Sequence, residues 1–497
     1  MLRAAETDPR IRAVLLMPDG VGAGWGIMQE IREDLQRVRD SGKPVWAYLR
    51  APSTREYYLA AAAGRVAMSP QDMLDLKGLS AEVMYFRGAL DRLGVQVEIE
   101  HAGKYKDYGD MFTRKDMSPE TREVINSVLD DLYGQLLSAV ATGRKKTPEQ
   151  ARAIVDEGPF LSREALSRGL VDALEYEGQM FSALQKQTGG QSLARINSRD
   201  YLRAIGADSA PANRNRVALV VGEGSIVRGQ MATLDGDTGI QAGGLVKLLE
   251  QVAGDSGIRA AIVRINSPGG DSFASDEIWQ AVRTLSRRKP VVISMSDEAA
   301  SGGYYISMTG DTIVAYPGTY TGSVGVFYGK INLRGLYEKL GIRKELLTRG
   351  RFAAIDSDWE PLSEAARRKL QEGVDDNYRV FVEKVAEARK RKFDEVEPLA
   401  QGRVWLGAQA QRNGLVDELG GLNRAVALIR EKARISRGEK ISLTVYPPRR
   451  SLWERLLSRS SQSLAPPWLS AFLKRWPASD MMHGGFMRLA PYSIEVK

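Results

Sequence analysis

Two hydrophobic periods alternate along this chain. Short runs rich in Val, Ile and Ala give way to stretches in which apolar residues recur every three or four positions. The first pattern predicts buried strands and the second amphipathic helices; alternating, they predict an α/β fold. In the second half the spacing predicts strands at 217–221, 260–265, 291–295 and 312–316, the last closed by Pro317. Between them, 275–285 sets Ile278, Val282 and Leu285 on one helical face. Ser363 stands at the cap position of a long helical pattern. Ser118 does the same earlier, with Pro119 at the first helical position, where a missing N–H is harmless. Val124, Val128, Leu132 and Leu136 form the apolar stripe behind it.

These patterns occur twice. Ile11-Arg12-Ala13-Val14 returns as Ile258-Arg259-Ala260-Ala261, and Lys43-Pro44-Val45 as Lys289-Pro290-Val291. Tyr57, Pro70 and Leu93 match Tyr304, Pro317 and Leu340, each pair 247 apart in number. From Ser118 and Ser363 onward the offset is 245, and it holds to Gly169-Leu170-Val171-Asp172 and Gly414-Leu415-Val416-Asp417. Two halves are expected to fold alike. In this register Ser301-Gly302-Gly303 faces Thr54-Arg55-Glu56, and Lys106 faces Ala353. One copy kept a serine on a glycine-flanked turn and the other kept a lysine. A Ser/Lys pair therefore needs both copies, and its site is expected where the two domains meet.

The expected organisation is a first repeat at 1–187, a Gly/Ser/Asn/Ala-rich linker at 188–216, a second repeat at 217–434 and a C-terminal extension at 435–497. The counterpart of the 217–221 strand would fall before residue 1, so that strand and an anchor upstream of it are expected to precede this sequence. In the extension, Trp453, Leu456, Leu457, Trp468, Phe472, Leu473 and Trp476 lie among arginines and prolines. They read as short helices packed on the body, or as a segment seated at a membrane interface. A closing strand is expected at 491–496.

Composition narrows the chemistry. The 497 residues exceed what one core needs, so two domains are the default. No cysteine is present, which removes disulfides, thiol catalysis and thiolate-bound metal. Only two histidines occur, His101 and His483, so a multi-histidine metal site is excluded; a Ser-His-Asp triad would need one of them to reach Ser301, which is possible for His101, though the repeat gives no special reason for it. No cofactor or metal is expected. The net charge of +8 comes from 70 basic residues scattered among 62 acidic ones, a distribution without a nucleic-acid stripe. It leaves a weaker attraction to an anionic membrane surface as the second reading. No apolar run reaches the length of a membrane span, and residues 1–8 resemble the middle of a helix rather than a signal peptide.

Two glycine-rich turns carry the candidate chemistry. Asn266-Ser267-Pro268-Gly269-Gly270-Asp271 follows a buried strand and precedes a helix, so backbone N–H groups of Gly269 and Gly270 can face a substrate unobstructed. Ala299-Ala300-Ser301-Gly302-Gly303 is a second such turn, with a hydroxyl at a helix start. Following consecutive strands of one sheet, the two turns should lie side by side at its carboxyl edge. A lysine can serve such a serine as base if burial lowers its pKa. Spacing alone leaves Lys104 and Lys106 both open for that role.

The runs 266–271 and 299–305, with Thr321-Gly322-Ser323-Val324-Gly325-Val326, resemble peptidase family S49 in its long, duplicated form, the signal peptide peptidases, over roughly residues 7–434. The resemblance implies a tandem Clp-protease/crotonase-like α/β fold. It implies Ser301 as nucleophile and Ser323 as the hydroxyl that orients the lysine. The context Tyr105-Lys106 ahead of Asp116-Met117-Ser118-Pro119 implies Lys106 as the base. Gly269, Gly270 and Gly302 are then the oxyanion-hole candidates. It further implies peptide substrates, cleaved signal peptides above all, a homotetrameric dome, and attachment to the periplasmic side of a bacterial inner membrane. The alternatives are a crotonase-type acyl-CoA enzyme and a catalytically inactive scaffold.

Overall fold

The computed structural model describes residues 1–189, 194–207, 215–229, 239–447 and 485–490. The Trp-rich part of the extension, His483 and the strand expected at 491–496 lie outside the described residues. The chain forms two compact units, one from Met1–Glu82 and Asn126–Ala212, the other from Val83–Ile125 and Asn213–Ile494.

In the first unit, Val14–Leu16, Val45–Leu49, Arg65–Met68 and Ala173–Leu174 form a wholly parallel sheet in that order. The second unit has the same four strands, the first two of them longer: Ile258–Ser267, Val291–Ala300, Thr312–Ala315 and Glu418–Leu419. It adds Arg216–Glu223 and Ser442–Tyr446 beyond Ile258–Ser267. The carboxyl half of Val291–Ala300 continues onto Tyr320–Gly322 and, antiparallel, Val404–Leu406. Every residue of Val45–Leu49 is buried, and Val291–Ala300 opens on six buried residues. Runs without alternation are what a parallel sheet covered on both faces requires.

The duplication is legible in side-chain contacts. Tyr57 donates its hydroxyl to the Leu170 carbonyl at 2.8 Å, and Tyr304 does so to Leu415 at 2.8 Å. Arg144 Nε donates to Gly169 O at 2.9 Å and pairs with Asp172; Arg389 Nε donates to Gly414 O at 3.0 Å and pairs with Asp417. Each aspartate also accepts from a strand N–H, that of Val66 or Ile313. Both predicted cap serines work as caps: Ser118 Oγ accepts from Thr121 N, and Ser363 Oγ from Ala366 N.

Some boundaries move. The helix expected at 275–285 runs Ser272–Arg288, because Asp271 caps it by accepting from Ala274 N at 2.8 Å. The stretch read as a linker contains a helix, Ser198–Ala207, anchored where the buried Tyr201 donates to Asp8.

The segment Val83–Ile125 belongs by sequence to the first repeat and by packing to the second unit. Its strand Gln96–Ala102 pairs antiparallel with Val326–Asn332 along the full length of both. Leu90, Val95, Val97 and Phe112 close a small apolar core with Ile331. Burying a side chain of that size contributes about 1.5–3 kcal/mol, so the segment is held by packing as well as by its ladder.

Candidate active site

Ser301 follows the Val291–Ala300 strand and caps the short helix Gly302–Tyr305. Its backbone stands at φ 52°, ψ −112°, a conformation that L residues adopt only under constraint. The constraint is visible: Ser301 N donates to Gly322 O at 2.8 Å, and Ser301 O accepts from Tyr305 N at 2.8 Å. The hydroxyl is thereby thrust off the end of the sheet.

Lys106 meets it there. Its Nζ lies 2.8 Å from Ser301 Oγ, 3.0 Å from Ser323 Oγ and 3.2 Å from the Ser323 carbonyl. All three residues are buried. The two copies of the repeat do supply one partner each, but the site is not where two domains meet: Lys106, Ser301 and Ser323 all belong to the second unit. Burial pushes the Lys106 ammonium well below the ordinary lysine value of 10.5; Asp107 opposes this, and the Arg488 guanidinium adds to it. Lys104, the other lysine that spacing left open, is exposed, with its ammonium 4.5 Å from the centre of the Tyr105 ring. His101 is exposed too, and its Nδ1 faces the Gly103 carbonyl at 3.2 Å rather than Ser301.

The lysine is held by a clasp that sequence reasoning missed. Tyr105 N donates to Gln401 O at 2.8 Å, and Ser323 N to Arg403 O at 2.7 Å. The Arg403 guanidinium reaches Glu123 and the Tyr105 hydroxyl, and that hydroxyl donates to Glu123 at 3.0 Å. Gly402 has φ +78°, and a methyl group on it would lie 2.6 Å from Lys106 Cβ. One on Gly325 would lie 3.0 Å from Lys106 Cδ. Only glycines let this backbone close around the lysine stem. The available signal was the glycines in Gln401-Gly402-Arg403 and Val324-Gly325-Val326, but nothing in their spacing tied them to residue 106.

The two glycine turns do lie together. A methyl group on Gly269 would sit 2.5 Å from Gly302 N, and one on Gly302 would sit 3.1 Å from Gly270 N. Gly269 N itself donates to Ser267 Oγ at 3.1 Å. The site thus holds a strained serine, a buried amine of depressed basicity, and two glycine turns whose backbones lie side by side. Such an assembly can move a proton off a hydroxyl and receive negative charge on an oxygen.

The first copy shows what the same turns do without this chemistry. Thr54 stands at the position of Ser301, and Ser53 forms a capping box with Glu56. Glu56 Oε1 accepts from Val21 N at 2.7 Å, so a carboxylate of the chain itself occupies an N–H of the other turn, the one that follows Val14–Leu16.

By fold and site this is a duplicated α/β protein with a serine–lysine pair at the carboxyl end of a mainly parallel sheet. The family model of peptidase family S49 matches residues 37–190 and 283–436. The chain belongs to peptidase family S49, a family of serine peptidases, in the long form that carries the domain twice. It is 33% identical to the "Serine protease SPPA, chloroplastic" of Arabidopsis thaliana over 88% of this chain and 66% of that one. It is 34% identical to "Protease 4" of Salmonella typhi over 87% of this chain and 71% of that one. The Haemophilus influenzae "Protease 4" is 31% identical, over 86% and 71%. The chain thus spans 66% to 71% of the length of these relatives. Among solved structures, ClpP1 from Listeria monocytogenes is 15% identical with a TM-score of 0.25, covering 41% of this chain and 91% of that one. A point mutant of the 1510-N membrane-bound stomatin-specific protease is 15% identical with a TM-score of 0.28, over 47% and 99%.

Proposed function

We propose that this chain is a serine endopeptidase working through a Ser301/Lys106 dyad on extended apolar peptides, spent signal peptides among them. The observation that carries the reading is the 2.8 Å contact between a buried lysine amine and a buried serine hydroxyl. Neutral Lys106 takes the Ser301 proton as Oγ attacks the peptide carbonyl. The carbonyl oxygen gains the negative charge and accepts from backbone N–H groups at Gly302 and Gly270. Lys106, now charged, gives its proton to the leaving amine as the C–N bond breaks. A water, deprotonated by Lys106 in turn, then releases the acyl group from Ser301. Ser323 accepts or donates at Nζ throughout and keeps the amine aimed at Oγ.

The membrane setting belongs to the same proposal. Among the described residues no helix is long and apolar enough to cross a membrane. Attachment to a bacterial inner membrane, on its periplasmic side, would come from an anchor preceding residue 1. Stop codons in frame just upstream of Met1 would overturn it. Assembly into a homotetramer is proposed with it, and a single-chain mass by light scattering of the anchored protein would count against it.

The dyad is tested with a fluorogenic peptide and a serine-reactive fluorophosphonate. Ser301→Ala should remove both hydrolysis and labelling, a loss of at least about 10³-fold in kcat, while the fold survives. Residual turnover near wild type would overturn the assignment.

A further inference from the structure

A strand from late in the chain, Gly485–Leu489, lies between the glycine turn Gly269–Asp271 and the strand Val326–Asn332, antiparallel to both. Ala490 N, just past it, donates to Pro268 O at 2.8 Å. A methyl group on Gly269 would collide with Arg488 O and lie 2.5 Å from Gly302 N, so this backbone runs beside the turn N–H groups next to Ser301. An extended peptide bound for cleavage would take such a course.

Its side chains alternate. Met487 and Leu489 pack on Phe327, with Ile99 and Tyr108 at the margin. Arg488 points the other way and is only 2% exposed. Its guanidinium carbon lies 3.7 Å from the centre of the Tyr305 ring and 5.3 Å from that of Phe381. Nη1 donates to Ser272 O at 3.0 Å, and Nη2 lies 3.5 Å from Asn377 Oδ1. The Tyr305 hydroxyl donates to Asp276, whose carboxylate is also paired with Lys384. Aromatic faces, a carbonyl acceptor and a carboxylate at the rim suit a planar cation better than an apolar chain.

We infer that the pocket formed by Tyr305, Phe381, Ser272, Asn377 and Asp276 is a subsite for an arginine side chain of a bound peptide, and that Arg488 fills it here as an intramolecular occupant. The inference rests on the peptidase reading for the direction of the channel, but its test is a binding measurement that needs no hydrolysis. The probe is a fluorescein-labelled peptide Gly-Phe-Met-Arg-Leu-Ala, followed by anisotropy on full-length Ser301→Ala protein. Adding Arg488→Ala should empty the subsite and tighten binding at least tenfold. Replacing the peptide's arginine by norleucine should then weaken it at least tenfold, and Asp276→Asn, an exposed rim change, should shrink that preference. Should Arg488→Ala not fold, Arg488→Lys keeps the charge, loses the planar stack and should give a smaller gain. Equal binding of the arginine and norleucine peptides, or no gain from either Arg488 variant, would overturn the inference. Absence of hydrolysis by the unmutated chain would instead count against the peptidase reading alone.

Discussion

Lys106 is a residue whose environment opposes its charge. Its folded pKa is lowered by burial, so between that value and 10.5 the unfolded chain binds one more proton than the folded one. Stability therefore rises with pH through this window and is reduced below it, each tenfold loss of proton affinity costing about 1.4 kcal/mol. Lys106→Met, similar in length and uncharged, should raise the melting temperature at neutral pH, with a difference that fades as pH approaches 10.5. It should also abolish hydrolysis, as should Lys106→Arg, which stays charged. Lys104→Ala should retain activity, since its ammonium is exposed on the Tyr105 ring. In the active protein kcat/KM should climb with pH through an inflection well below 10.5, because only the neutral amine accepts the Ser301 proton. An active Lys106→Ala enzyme, or a rate that falls as pH rises through this range, would remove lysine from the mechanism. Ser301 is legible in the sequence because a strand pattern runs into it and two glycines follow it. The choice between Lys104 and Lys106 is not, because an irregular loop has no period from which inward and outward positions can be read.

Strands and helix caps can be read because each rests on local chemistry: β-branched runs, or a serine before a helix. The clasp around Lys106 cannot, since Gly103, Gly325 and Gly402 come from three separate turns and touch only after folding. Gly402→Ala is the direct test of that clasp. Its positive φ alone should cost about 1–2 kcal/mol, and the new methyl must push the lysine stem away. We expect at least a tenfold fall in kcat with a smaller change in KM, measured on a folded variant. An unchanged kcat would mean the lysine is positioned by other contacts. The Ser272–Arg288 helix starts ahead of its apolar period because Asp271 has two roles, closing a short strand and capping the helix.

Across the full chain, the duplication is legible down to individual pairs, and Arg144–Asp172 and Arg389–Asp417 are its signature. Charge-assisted bonds of this kind are worth roughly 1.5–3 kcal/mol each. Arg389→Met should lower the temperature at which peptidase activity is lost. Arg144→Met should lower the unfolding temperature of the first unit with less effect on activity. The reverse order, in a heat-inactivation series followed by circular dichroism, would mean that the site depends mainly on the first unit. What the repeat could not reveal is that Val83–Ile125 packs with the later copy, because sequence similarity records ancestry and not docking. During synthesis that placement separates the two partners in time. Lys106 and Ser301 are 195 residues apart, so at about 5–20 residues per second the ribosome delivers the proposed base roughly ten to forty seconds before the proposed nucleophile. Arg403, whose carbonyl fixes Ser323, emerges later still. A half-made chain lacks one member of the proposed pair, so on that reading the order of translation acts as a timer on the first turnover.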